Sequence, residues 1–187
     1  MAPDAPSRYT HTAMGLHWLM ALMIFASFGL GLYMVELSLS PTKLKFYAWH
    51  KWAGVTIFML VLVRCLWRLT HRVPPLPDHM PVWQRRGVAF SHALLYALMI
   101  AIPLSGWLMS SAKGFQTVYF AVIPIPDPLA KDKALGDLLV SIHYALNITM
   151  ICMVAGHAAA ALKHHFIDHD DILRRMLPAR KKLPSTP

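Results

Sequence analysis

Residues 138–162 read LLVSIHYALNITMICMVAGHAAAAL, an unbroken run without Asp, Glu, Lys or Arg. As an α-helix it is long enough to cross a hydrocarbon core about 30 Å thick. His143 and His157 lie fourteen residues apart within it. Fourteen residues rotate a helix by about 1400°, within about 40° of whole turns, and advance it roughly 21 Å. The two imidazoles therefore share one face, near opposite ends of the span. An ionisable side chain inside a membrane is costly and reads as functional, and imidazole is a common axial ligand of haem iron. The spacing thus predicts two haems stacked across the bilayer.

The rest of the chain supports a membrane setting. Of 187 residues, 56% are hydrophobic and only 14% are charged. Uncharged runs extend over 9–35 and 87–112, and a further apolar region, 47–69, is interrupted by Lys51, Arg64 and Arg68. This pattern predicts an all-α fold, a four-helix transmembrane bundle with spans at about 13–35, 47–69, 88–111 and 138–162. The whole of 1–187 is expected to form one integral membrane domain, with no internal repeat. A soluble bundle would have to bury such runs on every side. The first run is too long for a signal peptide and lacks a small-residue cleavage pattern before the next span.

Basic residues set the expected orientation. With the N-terminus inside, cytoplasmic segments hold twelve of the eighteen Lys and Arg, including Arg8, Arg64, Arg68, Arg72, Arg85, Arg86, Arg180, Lys181 and Lys182. The opposite face holds Lys43, Lys45, Lys51, Lys113, Lys131 and Lys133. Both termini are therefore expected in the cytoplasm. The net charge of +9 then reflects this bias and attraction to anionic lipid, with no role for nucleic acid.

The connections promise less chemistry. Residues 70–86 contain Pro74, Pro75, Pro77 and Pro81 and read as an extended cytoplasmic link. In the stretch 114–130, Pro124, Pro126 and Pro128 remove alternate backbone donors, so it is expected to lie along the outer interface rather than form a helix. The tail, 164–177, alternates charged and apolar residues and is expected to be an amphipathic interfacial helix or a solvated tail. Cys65 and Cys152 fall inside spans and read as small packing residues. No Cys-x-x-Cys-His is present, which excludes that route to a covalent c-type haem.

Depth sorts the histidines. His50 and His143 fall at the outer level and pair there. At the inner level three histidines, His17, His92 and His157, compete for two axial positions. His11, His71, His79, His164, His165 and His169 lie outside the hydrocarbon and are expected to be solvated or interfacial.

Local motifs narrow the choice. Gly15-Leu16-His17-Trp18 opens the first span, and His50-Lys51-Trp52-Ala53-Gly54 opens the second. Arg64-Cys65-Leu66-Trp67-Arg68 closes the second, and Pro103-Leu104-Ser105-Gly106-Trp107-Leu108-Met109 lies in the third. His157-Ala158-Ala159-Ala160-Ala161-Leu162-Lys163-His164-His165 ends the fourth. In order and spacing, from about residue 8 to Pro178, the chain resembles bacterial cytochrome b561. The resemblance implies a four-helix inner-membrane protein with two b-type haems. The family includes a superoxide oxidase that passes electrons to ubiquinone, and it is related to cytochrome b subunits that anchor dehydrogenases such as hydrogenases.

Carried onto this sequence, the resemblance implies that His17 and His157 ligate the inner haem iron, and His50 and His143 the outer one. His92 then becomes a candidate for supporting a ligand or handling protons. Arg64 lies fourteen residues after His50, on the same face and at the inner level, and is expected to neutralise a haem propionate, with Arg68 a second choice. From the residues themselves, Gly54 and Gly156, beside His50 and His157, are expected either to admit a porphyrin or to serve helix packing, and Pro103 and Gly106 to bend or locally loosen the third helix, where a pocket would admit a quinone ring. Two functions are then open. One is oxidation of superoxide from the periplasmic side with ubiquinone as acceptor, the six outer lysines forming a cationic mouth. The other is an electron-relay subunit whose outer face docks a redox partner protein.

Overall fold

In the computed structural model, which describes residues 7–77 and 80–178, the chain folds as four long helices and one short hairpin. His79, Arg180, Lys181 and Lys182 lie outside the described residues. The helices are α1 (His11–Glu36), α2 (Pro41–Thr70), α3 (Val82–Ala112) and α4 (Lys133–Phe166). Each is long and apolar enough to cross a membrane. The mainly helical, four-span reading is therefore correct, but every helix outruns its apolar stretch. At 34 residues, α4 extends about 51 Å, well beyond a hydrocarbon core of about 30 Å.

Capping chemistry explains those extra turns. Ser40 accepts from the Lys43 amide at 3.2 Å, with Pro41 in the first turn where its missing N–H costs nothing. Asp132 accepts from the Leu135 amide at 3.0 Å and starts α4 five residues ahead of its first long apolar run. At the start of α1, Thr10 Oγ1 accepts from the Ala13 amide at 3.2 Å and from Trp67 Nε1 at 3.0 Å. One hydroxyl thus caps α1 and ties it to the end of α2. α3 runs unbroken through Pro103.

Helix packing is uneven. α1 packs closely on α2, α2 on α3 and α3 on α4, whereas α4 makes no comparable approach to α1 or α2. The apolar core proper is small, built on Met20, Ile57 and Val61, with Cys65 and Tyr96 against it. Both cysteines are free thiols.

Residues 114–130, expected to lie along the interface without forming a helix, contain two short strands. β1 (Thr117–Tyr119) and β2 (Ile123–Ile125) form an antiparallel hairpin with Tyr119 opposite Ile123. Pro124 is tolerated because a two-stranded sheet consists only of edges. Trp52 Nε1 donates to the Val118 carbonyl at 2.7 Å, and Tyr119 OH meets Thr56 Oγ1 at 2.9 Å. Lys51 Nζ donates to the Phe115 carbonyl at 2.8 Å. The hairpin is therefore fastened to the same two turns of α2 that carry His50.

At the opposite end, the tail forms no amphipathic helix. Beyond Phe166 it turns, makes a single 3-10 turn at Arg174–Met176 and returns to the start of α1. There Arg8 donates to the Arg174 carbonyl at 2.7 Å, and Trp18 Nε1 to the Met176 carbonyl at 2.9 Å. His164, expected to be solvated or interfacial, meets Asp170 at 2.7 Å. The Arg175 guanidinium hydrogen-bonded to Asp171 holds that carboxyl below its ordinary range. The start of α1, the tail as far as Leu177 and residues 71–77 of the link thus share one end of the bundle, the terminal end, and the hairpin marks the other.

Because Thr10 serves two donors, Thr10→Ala is expected to cost about 1 kcal/mol and Thr10→Ser much less. Thermal unfolding of the purified protein in detergent measures the difference.

Candidate functional site

Five histidines meet inside the bundle, all partly buried. At the hairpin end the His50 and His143 rings lie 6.3 Å apart, centre to centre. At the terminal end His17 and His157 lie 6.2 Å apart, and His92 lies 5.4 Å from His157 on its other neighbour, α3. The structure thus brings together both expected pairs and also the third inner histidine.

These spacings can be compared with coordination geometry. A first-row metal–imidazole bond of about 2 Å, plus about 1 Å from nitrogen to ring centre on each side, sets two axial imidazoles about 6 Å apart. The His50–His143 and His17–His157 separations fit that figure, while His92–His157 is shorter. Backbone packing separates the candidates further. His92 projects from α3, which lies directly against α4, whereas His17 and His50 project from helices held away from α4. A planar macrocycle needs such a gap.

The glycines near these histidines fall into two kinds. A Cβ placed on Gly54 or Gly156 would meet no atom within 4 Å, so both positions leave open space beside His50 and His157. A Cβ on Gly31 would come within 3.2 Å of His50 Cε1, and one on Gly106 within 3.1 Å of His143 Cε1. Here the absent side chains let each ring press against the neighbouring helix. Gly31 carries no motif that sequence reading singled out, and Gly106 was assigned to bending α3 rather than to seating His143.

The rings are also hydrogen-bonded. His50 Nδ1 lies 3.1 Å from the Ser27 carbonyl and 3.3 Å from its hydroxyl, and His143 Nδ1 lies 2.9 Å from Ser105 Oγ. Arg64 reaches the inner level as expected, where its guanidinium joins three helices. It donates to Tyr96 OH at 3.0 Å and the Ala13 carbonyl at 3.1 Å, and its Nη2 lies 3.4 Å from His17 Nδ1. A guanidinium has five N–H donors, so two remain, and the residue lines a cleft with Thr10, Trp67, Arg68 and Tyr96. Arg68 sits over the Tyr96 ring, 5.9 Å from its centre.

The six lysines expected on the outer face are less available than their number implies. Lys113 and Lys133 both bind Asp137, Lys43 caps the end of α1 through the Leu37 carbonyl, and Lys51 holds the hairpin. Lys45 lies over the Trp49 ring.

Against this geometry, residues 8–179 match the family model described as prokaryotic cytochrome b561. The chain belongs to that family. It is 37% identical to cytochrome b561 homolog 2 of Escherichia coli K12, over 93% of each chain. It is 30% identical to cytochrome b561 homolog 1 of the same organism, over 94% of this chain and 99% of that one. A protein of Yersinia pestis named probable superoxide oxidase CybB is 28% identical over 93% of this chain and 98% of its own. The protein is therefore a membrane haem b cytochrome of electron transfer, and its four apolar helices fit a multi-pass protein of the inner membrane.

Crowding tests the seat of His143. Gly106→Ala is expected to push that ring by a few tenths of an ångström and alter the reduced-minus-oxidised haem spectrum. Gly87→Ala, whose added carbon meets nothing within 4 Å, is expected to leave the spectrum unchanged.

Proposed function

We propose that this cytochrome is a superoxide:ubiquinone oxidoreductase holding two haem b groups, one between His50 and His143 and the other between His17 and His157. The carrying observation is the pair of imidazole couples, 6.3 and 6.2 Å apart, bridging α4 to helices that otherwise stand away from it. Haem b, when bound, supplies one-electron redox chemistry at its iron. Overall, two superoxide anions lose one electron each and become O2, and two protons join those electrons on one ubiquinone to give ubiquinol.

The residues divide the remaining work. The orientation set by the basic residues puts the hairpin end at the periplasm and the chain ends in the cytoplasm. Ser27 and Ser105 keep the protons of His50 and His143 on Nδ1, which leaves each Nε2 to face the gap. For His17 to offer Nε2 in the same way, its Nδ1 must carry the proton and cannot accept from Arg64. Arg64 then turns Nη2 to another acceptor, and a haem propionate in the adjoining cleft suits its free N–H groups. His92 remains beside His157 as a supporting contact.

Engagement of Lys43, Lys51, Lys113 and Lys133 in structural contacts supports only modest electrostatic attraction of a small anion. The same observation favours a second reading, in which the hairpin end docks a redox partner and the haems relay its electrons to quinone. Exposed Phe115, Phe120 and Val122 at the hairpin add apolar surface for such docking.

Superoxide supplied to the purified cytochrome with a soluble ubiquinone analogue separates the two. The oxidase reading expects haem reduction, moderately slower at high salt, and quinol formation. Absence of reduction, together with a co-purifying dehydrogenase, would establish the relay.

A further inference from the structure

His50 and His143 are held by unlike acceptors. For His50 the closer partner is a backbone carbonyl, that of Ser27 at 3.1 Å, with the Ser27 hydroxyl at 3.3 Å. A carbonyl only accepts, so Nδ1 carries the proton, and no side-chain substitution at residue 27 removes that acceptor. For His143 the partner is a hydroxyl. Ser105 Oγ donates its single proton to the Ile102 carbonyl at 2.8 Å, so towards His143 Nδ1, at 2.9 Å, it presents a lone pair. The Ser105 hydroxyl lies at hydrogen-bond distance from Nδ1, so losing it weakens the acceptor that this N–H meets. Ser105 is only 6% exposed, which leaves little access for a replacing water. Gly106, the next residue, lies against the same edge of the ring, where a Cβ would come within 3.1 Å of Cε1 and 3.4 Å of Nδ1.

We propose that Ser105 is a positioning residue for His143, and that its hydroxyl lowers the reduction potential of the hairpin-end haem, whereas the Ser27 side chain has no comparable effect. This rests on the reading of His50 and His143 as the two axial ligands of one haem. An Nδ1–H that donates to a firm acceptor makes the imidazole a stronger electron donor, which favours oxidised iron. Both serines act on the same haem, so they can be compared directly.

The test is a redox titration of purified protein, with haem counted per chain, for wild type, Ser27→Ala, Ser105→Ala and Ser105→Thr. Ser105→Ala is expected to keep two low-spin haems and to raise one midpoint by about a tenfold equilibrium bias, equivalent to about 59 mV for one electron. Ser27→Ala and Ser105→Thr are expected to titrate like wild type. An unmoved midpoint in Ser105→Ala, or an equal shift in Ser27→Ala, overturns the proposal. Loss of one haem in Ser105→Ala that Ser105→Thr restores supports it, and loss in both variants shows a packing role and overturns it. A wild type with fewer than two haems instead sinks the ligand reading beneath it.

Discussion

The structure turns on a separation. α4 carries imidazoles at both ends, yet packs closely only against α3, while α1 and α2 face those imidazoles across a gap. Apolar side chains alone would close such a gap, because buried helices attract one another through contact wherever their surfaces allow it. Here the tightest contacts lie elsewhere. The small core of Met20, Ile57 and Val61 locks α1 to α2, and the close α3–α4 pair forms the opposite wall. Facing each other across the interval are the two ring pairs.

Both ends of the bundle are fastened by polar contacts that keep this interval open without filling it. At the hairpin end, Lys51, Trp52 and Thr56 tie the hairpin to α2, and Ser111 exchanges hydrogen bonds with the Leu129 backbone to hold the return into α4. At the terminal end, Thr10, Arg8 and Trp18 join the start of α1 to the end of α2 and to the tail. A donor left unpaired at membrane depth costs several kcal/mol, roughly, so these contacts also explain why irregular backbone is confined to the ends. The same arrangement sets histidine pairs at two levels of the bundle.

Much of this was legible in the residues. Uncharged runs announced four helices, and the fourteen-residue spacing of His143 and His157 gave a shared face because 3.6 residues per turn nearly divides it. Depth paired His50 with His143. It could not choose between His17 and His92, because depth is one coordinate and the choice depends on which helix stands away from α4. Helix starts were placed late since hydropathy was followed rather than the caps at Ser40 and Asp132, although both caps were readable. The hairpin was missed because alternate prolines argue against paired strands, and only Trp52 and Lys51, distant in sequence, fasten it. The tail looked amphipathic, yet His164 and Asp170, six residues apart, bend it back. Gly31 gave no periodic or motif signal, and Ser105, though part of the third-helix motif, was given no role there; the importance of both appears only through the rings they touch.

Counting haem b in single histidine variants addresses the central claim most directly. Wild-type protein is expected to hold two per chain, and His143→Ala and His157→Ala are each expected to hold one, with the surviving haem differing between them in midpoint potential. Two haems retained in either variant, or the same haem surviving in both, would contradict the assignment of α4 as the shared ligand helix.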